Sequence, residues 1–284
     1  MPAASGSAAG EPPNGRGRAG APVRRLLALG GHDFTTSPPD RAVCELLLRL
    51  AAKRGGERPR ICLLPTASGD PSEQIGRFYA AFSERACQAS DVSLFRLGRR
   101  PVVLREHLLS QDLIYVGGGS MVNLLAVWEA HGVAAILAEA WRRGTVLAGQ
   151  SAGAMCWFEA GITKSSGRAG VAQGLSMLPG SLCVHYNNEP DRRAAYLEAV
   201  EAGLPDGYGL DDYAGLLWEG DAAPAAVAAR RRARVYRVRR RPEGVTETPL
   251  PARLLPSPVP AALREDILEF RRLRALRRRT GRLG

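Results

Sequence analysis

Two short apolar runs that end in glycine-rich turns constrain this chain more than any other feature. Residues 146–148 (Val-Leu-Ala) run straight into Gly149-Gln150-Ser151-Ala152-Gly153, and small residues suited to a helix follow. That is the pattern of a strand, a sharp turn and an exposed hydroxyl at its tip. Gly149 and Gly153 remove side chains that would block so tight a turn. Ala152 keeps the ground beside Ser151 clear for a carbonyl. Residues 113–116 (Leu-Ile-Tyr-Val) likewise run into Gly117-Gly118-Gly119-Ser120. Strand, glycine turn and helix in series is how an open α/β sheet is built, with its turns gathered at one edge.

The rest of the first half extends this pattern. Residues 26–29 and 61–64 are short apolar runs, and residues 92–97 alternate as a strand does. Apolar residues fall at helical spacing over 40–54 (Val43, Leu46, Leu47, Leu50). Residues 72–88 and 121–143 also read as helices, the latter with a break at Gly132. Strands and helices therefore alternate across residues 24–160, which predicts an α/β fold with a mostly parallel sheet and helices on both faces. Beyond it, residues 161–184 are Gly-rich with short apolar pieces and residues 190–203 are helical. Residues 208–210 and 216–218 read as two short strands of a hairpin, and 233–239 as an edge strand.

Domain boundaries follow from composition. Residues 1–22 are Ala, Gly, Ser, Pro and Arg with no apolar centre, so a disordered leader is expected there and not a secretory signal. Residues 23–241 form the expected α/β domain. Residues 242–260 read as a Pro-rich linker, and 261–284 as an Arg-rich helix with apolar Leu263, Ile267, Phe270 and Leu273. The net charge of +11 is concentrated: residues 230–284 hold 17 Arg against five acids, while residues 1–229 hold 22 basic and 23 acidic residues. Aromatic interleaving in the basic segment is thin, so a solvated surface is expected and not a nucleic-acid partner. No apolar stretch approaches the roughly 20 residues that span a bilayer, so no membrane partner is expected. Five scattered cysteines without a Cys-x-x-Cys pair suit reduced thiols and a cytoplasmic protein. Cys156 is expected on the buried face of a helix. The four histidines show no metal-ligand spacing, and no nucleotide fingerprint is present. The reading assigns no metal and no cofactor.

A serine hydroxyl needs a base to take its proton. His185 is the one histidine after Ser151, and it follows the apolar residues Leu182-Cys183-Val184 at the end of an expected strand. No histidine follows it, which argues against the ordinary α/β-hydrolase order of Ser, acid and late His. A developing oxyanion needs backbone donors. Ala152 would supply one, and Gly118 or Gly119 another.

The motifs Tyr115-Val116-Gly117-Gly118-Gly119-Ser120, then Gly149-Gln150-Ser151-Ala152-Gly153-Ala154, then His185-Tyr186, together and in this order, resemble the peptidase E (S51 serine peptidase) family. That family includes alpha-aspartyl dipeptidases and is related to cyanophycinases. The resemblance covers roughly residues 24–222. It implies a three-layer, flavodoxin-like fold of the class I glutamine amidotransferase type. It also implies Ser151 as nucleophile, His185 as general base, and the Gly119 and Ala152 amides as the oxyanion hole. The acidic turn Leu210-Asp211-Asp212-Tyr213 matches one in the family and points to Asp212 as the acid, with Asp211, Glu189 and Glu159 as alternatives. Gly118, Ser120 and Arg192 are the expected substrate contacts. A forked arginine suits a substrate carboxylate, and Arg193 and Arg168 are further candidates. Two residues depart from the family: Ser120 stands where Asn is usual, and Lys164 where related sequences tend to carry Asp. The expected function is hydrolysis of short peptides, including those with N-terminal Asp, by a protein that could pair as a homodimer. The two departures keep open a non-catalytic relative, and the kinship with cyanophycinases keeps open hydrolysis of β-linked Asp-Arg peptides.

Overall fold

A computed structural model describes residues 22–35, 39–52, 58–82, 85 and 87–256. The expected leader (all but Pro22) and the Arg-rich helix 261–284 lie outside the described residues. In chain order the elements are β1 (Arg25–Leu29), α1 (Arg41–Ala51), β2 (Arg60–Leu64), α2 (Ser72–Phe82), β3 (Gln88–Asp91), α3 (Leu104–Leu109), β4 (Leu113–Val116), α4 (Met121–Ala130), α5 (Val133–Arg142), β5 (Val146–Gln150) and α6 (Ala152–Met155). There follow β6 (Phe158–Thr163), β7 (Gly170–Gln173), β8 (Leu178–Val184), α7 (Pro190–Glu201), β9 (Gly207–Leu210), β10 (Ala214–Glu219), β11 (Ala225–Ala228), β12 (Val235–Arg241), β13 (Gly244–Leu250) and β14 (Arg253–Leu254).

The strands form two sheets. The first has the order β14-β11-β10-β1-β5-β4-β2-β3. Its strands β1, β5, β4, β2 and β3 are mutually parallel, and β10 runs antiparallel to β1. Alternate residues of each strand face opposite sides. Leu27 and Leu29 pack with α1 and α2 (Val43, Leu47, Ile75, Phe78) on one face. Leu26 and Ala28 pack with α4 and α5 (Leu124, Trp128, Leu137) on the other. Helices thus cover both faces of a mostly parallel sheet, as expected. The second sheet, β13-β12-β9-β8-β6-β7, was not foreseen from sequence. Its residues Phe158, Leu182, Val184 and Leu210 join the core beside α6, and α7 packs on it through Tyr196 and Val200.

Several expectations change. Residues 208–210 and 216–218 do not form a hairpin: β9 pairs with β8 and β12, and β10 with β1 and β11. The chain crosses between the two sheets at Asp211–Tyr213. Residues 92–97 leave the sheet, and the strand lies at 88–91. The buried Asp70 carboxylate accepts from Ser93 Oγ (2.9 Å) and Phe95 N (3.0 Å), which pulls the chain into a turn. The domain does not end at 241. Residues 244–250, assigned to the linker, pair with β12 along its whole length, and Pro249 is tolerated because β13 is an edge strand. Beyond it β14 pairs with β11, and Leu255 is buried. The break at Gly132 is present, with φ 66° and a bend of 91° between α4 and α5. Among the described residues no single helix is long and apolar enough to cross a membrane. All five cysteines are free and buried, with Cys156 in the core.

Candidate active site

Four neighbouring parallel strands of the first sheet end at one edge, and the turns after three of them meet at Ser151. The register aligns Leu29 with Gln150 and Val116 with Gly149. The segments leaving β1 (Gly30-Gly31-His32), β5 (Ser151) and β4 (Gly117-Gly118-Gly119) are therefore adjacent. Ser151 has φ 53° and ψ −117°, a left-handed conformation that costs a non-glycine residue about 1–3 kcal/mol. Its amide donates to Leu29 O (3.1 Å), and its carbonyl accepts from Ala154 N and Met155 N, which fixes the turn from both ends. A methyl group at Gly153 would collide with the Val116 carbonyl, and one at Gly149 with the Gly153 carbonyl. The elbow closes only because both positions lack a side chain.

The second sheet brings the base and the acid. β8 and β9 are parallel, with Val184 opposite Leu210, so His185 and Asp212 emerge from neighbouring strand ends. His185 Nε2 lies 3.0 Å from Ser151 Oγ, and its Nδ1 lies 2.7 Å from Asp212 Oδ1. Asp212 is nearly buried. Its Oδ2 accepts from Asn188 Nδ2, and its backbone N–H donates to Asn187 Oδ1 (2.9 Å). Burial opposes the ionised carboxylate, but the hydrogen bond and charge of His185, the charge of His32 and the Asn188 amide outweigh it. The carboxyl is held below its ordinary value of 3.8. Gly31 packs so closely on this pair that a Cβ there would stand 2.7 Å from His185 Cε1.

The other acids weighed from sequence lie elsewhere. Asp211 accepts from Arg234 N, and burial raises its pKa. Glu189 pairs with Lys164 (2.7 Å) and Arg192 (3.2 Å). Glu159 lies within β6, and its backbone carbonyl accepts from Gly174 N.

The glycine loop lies beside the serine: a Cβ on Gly118 would stand 3.2 Å from Ser151 Cβ. Among the described residues, no backbone hydrogen bond outside the helices and strands uses the Gly119 or Ala152 amide. The Ser120 hydroxyl accepts from Asn123 N (3.2 Å) and caps α4. Arg192 is buried in α7. It reaches Glu189 through Nη2, while its buried Nε and Nη1 find no acceptor among the described residues. Arg193 is instead stacked on Tyr186 and Tyr236 and forked onto Glu247, and Arg168 is exposed. Lys164 is drawn away to Asp191 and Glu189, and those two bonds raise its pKa.

His32, Asn187 and Asn188 were missed from sequence. His32 follows Gly30-Gly31 at a strand end, the same signal that marked Ser151, and that placement could have found it. Among the described residues no group of three or more His, Cys, Asp or Glu side chains is placed to hold a metal ion. A cavity of about 950 Å³ lies away from these strand ends, among Trp141, Tyr208, Trp218 and Arg237. It contains no serine–histidine pair, so the chemistry and not the volume selects the site.

The fold and this strand-edge arrangement define an α/β protein of the flavodoxin-like type. The chain belongs to peptidase family S51, whose model matches residues 26–225. It is similar to a Bacillus subtilis (strain 168) protein described as the uncharacterized peptidase YgaJ, with 41% identity over 234 residues, 82% of this chain and 100% of that one. In structure it is similar to a peptidase from an acI-B1 Actinobacterium, with TM-score 0.63, 19% identity, and 82% and 96% of the two chains covered. It also resembles a candidate peptidase E protein from Listeria monocytogenes EGD-e, with TM-score 0.53, 18% identity, and 72% and 98% covered.

Proposed function

We propose that this S51 chain is a serine-type peptidase that hydrolyses short peptides through an acyl-enzyme. The observation that carries the reading is the continuous chain from Ser151 Oγ to His185 Nε2 (3.0 Å) and from His185 Nδ1 to Asp212 Oδ1 (2.7 Å). Ser151 attacks the scissile carbonyl while His185 takes its proton. Asp212, held ionised, fixes the ring so that Nε2 faces the serine and steadies the imidazolium that forms. The Gly119 and Ala152 amides receive the oxyanion. His185 then protonates the leaving amine, and a water deprotonated by His185 cleaves the acyl-enzyme. Ser151→Ala tests this: hydrolysis is lost while the fold is kept.

The substrate reading is an acidic N-terminal residue. It is supported by Arg192, a buried guanidinium near the start of α7 whose Nε and Nη1 lack acceptors. The first turn of α7 is tied to the base, because Glu189 N donates to His185 O. A substrate carboxylate would satisfy one of these free donors with a charge-assisted hydrogen bond. The comparison is Asp-Leu against Ala-Leu and against a β-Asp-Arg dipeptide. Arg192→Met is expected to raise KM for Asp-Leu roughly tenfold or more and to leave Ala-Leu unchanged. Equal effects on both remove Arg192 from the specificity. Preference for the β-linked dipeptide moves the assignment to a cyanophycinase-like activity.

A further inference from the structure

The turn after β1 carries a histidine that the reaction above does not use. His32 Nε2 lies 3.5 Å from Asp212 Oδ2, while His185 occupies Oδ1. The carboxylate thus faces two imidazoles, one on each oxygen. The His32 ring stacks on Tyr213, with centroids 4.1 Å apart and planes 17° apart. The Arg230 guanidinium lies over the same tyrosine at 4.8 Å. The His32 backbone has φ 63°, a conformation a histidine keeps only when its surroundings hold it there. Tyr213 N–H donates to Gly31 O (3.0 Å), which ties the two stacked residues together through the backbone.

The other ring nitrogen identifies the tautomer. His32 Nδ1 is buried without a partner. A proton there would bury an N–H with no acceptor, whereas a bare lone pair costs less. The hydrogen that can find a partner is therefore the one on Nε2, pointing at Asp212. Around the carboxylate His185 Nδ1 is hydrogen-bonded to Oδ1 and Asn188 Nδ2 to Oδ2, and His32 Nε2 stands at ion-pair distance, 3.5 Å, from Oδ2. All rotation of Asp212 about its terminal bond would break at least one of these contacts.

We propose that His32 is a positioning residue for the site: its Nε2–H and its stack on Tyr213 hold the Asp212 carboxylate so that Oδ1 stays on His185. It acts through Asp212 and touches neither the serine nor the scissile bond. This rests on the reading of Ser151, His185 and Asp212 as the catalytic chain.

Two variants separate the N–H from the ring. His32→Gln keeps an N–H near the position of Nε2, and His32→Phe keeps the ring on Tyr213 but has no donor. The first readout is the low-field proton resonance of His185 Nδ1–H, which needs no turnover. It is expected in the wild type and His32→Gln, and lost to exchange in His32→Phe. The second is Asp-Leu hydrolysis: kcat falls roughly tenfold or more in His32→Phe with KM unchanged, and stays near wild type in His32→Gln. Should the Phe variant fold poorly, His32→Ala gives the same loss, recovered by added imidazole. A Phe or Ala variant that keeps both the resonance and kcat overturns the proposal. So does a change confined to KM, which would make His32 a substrate contact. Hydrolysis that survives Ser151→Ala would sink the underlying reading instead, and the resonance would still judge His32.

Discussion

Ser151 sits in a conformation that serine avoids, and the protein holds it there with one hydrogen bond before the turn and two after it. Backbone cost is spent where a hydroxyl has to stand clear of its own strand. At this scale two predictions follow from charge. Asp212→Asn should reduce kcat by about 10³–10⁴, because the wrong tautomer of His185 is then favoured. It should also change the acid response of stability. The folded pKa of Asp212 lies below its ordinary 3.8. Its contribution to stability is therefore present above that value and lost as pH falls through the lower folded value. Denaturant titrations from pH 6 to pH 2 should show a steeper loss in the wild type than in Asp212→Asn, and parallel curves would contradict the assignment. The pairing of Ser151 with His185 was legible in the sequence because each stands at the end of an apolar run. Asn188 was not, and the placement of His32 at a strand end did not reveal its role: both depend on a carboxylate that lies 24 and 180 positions away along the chain.

Whole elements carry the site as much as its side chains do. The β5–α6 elbow needs two glycines, and Gly153→Ala should lower stability by about 1–3 kcal/mol or more through overpacking against the Val116 carbonyl. A thermal melt would show it, and an unchanged melting temperature would mean that the elbow has more room than its geometry indicates. The β12–β13 hairpin supports the base from behind. Glu247 on β13 accepts from the Tyr186 hydroxyl and is forked by Arg193, and both partners follow His185 closely in sequence. Glu247→Ala should cost about 1–3 kcal/mol by stranding these donors. The sequence concealed this element because its alternation (Val245, Thr246, Glu247, Thr248) is short, polar and interrupted by Pro249, which resembles linker composition. The short run at 92–97 misled in the opposite sense. Its pattern was that of a strand, and the distant Asp70 carboxylate overrode it.

At the scale of the molecule, the site exists because two sheets end at a common place. The parallel order of the first sheet was legible from strand and helix alternation over residues 24–160. The second sheet was not, because its strands are short and pair across long separations in sequence, which no local pattern reveals. The crossing from β9 to β10 is the connection that matters most, since the acid lies on it. The boundary of the domain is testable in the same terms. A chain ending at residue 241 loses β13, β14 and the buried Leu255, leaving the β12 edge unpaired. It should melt several degrees below a chain ending at 256, if it stays soluble at all, and equal melting temperatures would restore the earlier boundary.

Everything above turns on Ser151, driven by His185 and Asp212, cleaving peptides. The most direct measurement is hydrolysis of a dipeptide panel, with Asp-Leu among its members, by the wild type and by Ser151→Ala side by side. The wild type is expected to turn over at least one dipeptide and the variant to lose about 10³-fold or more, with the two proteins melting alike. Equal turnover in a folded Ser151→Ala protein would contradict it.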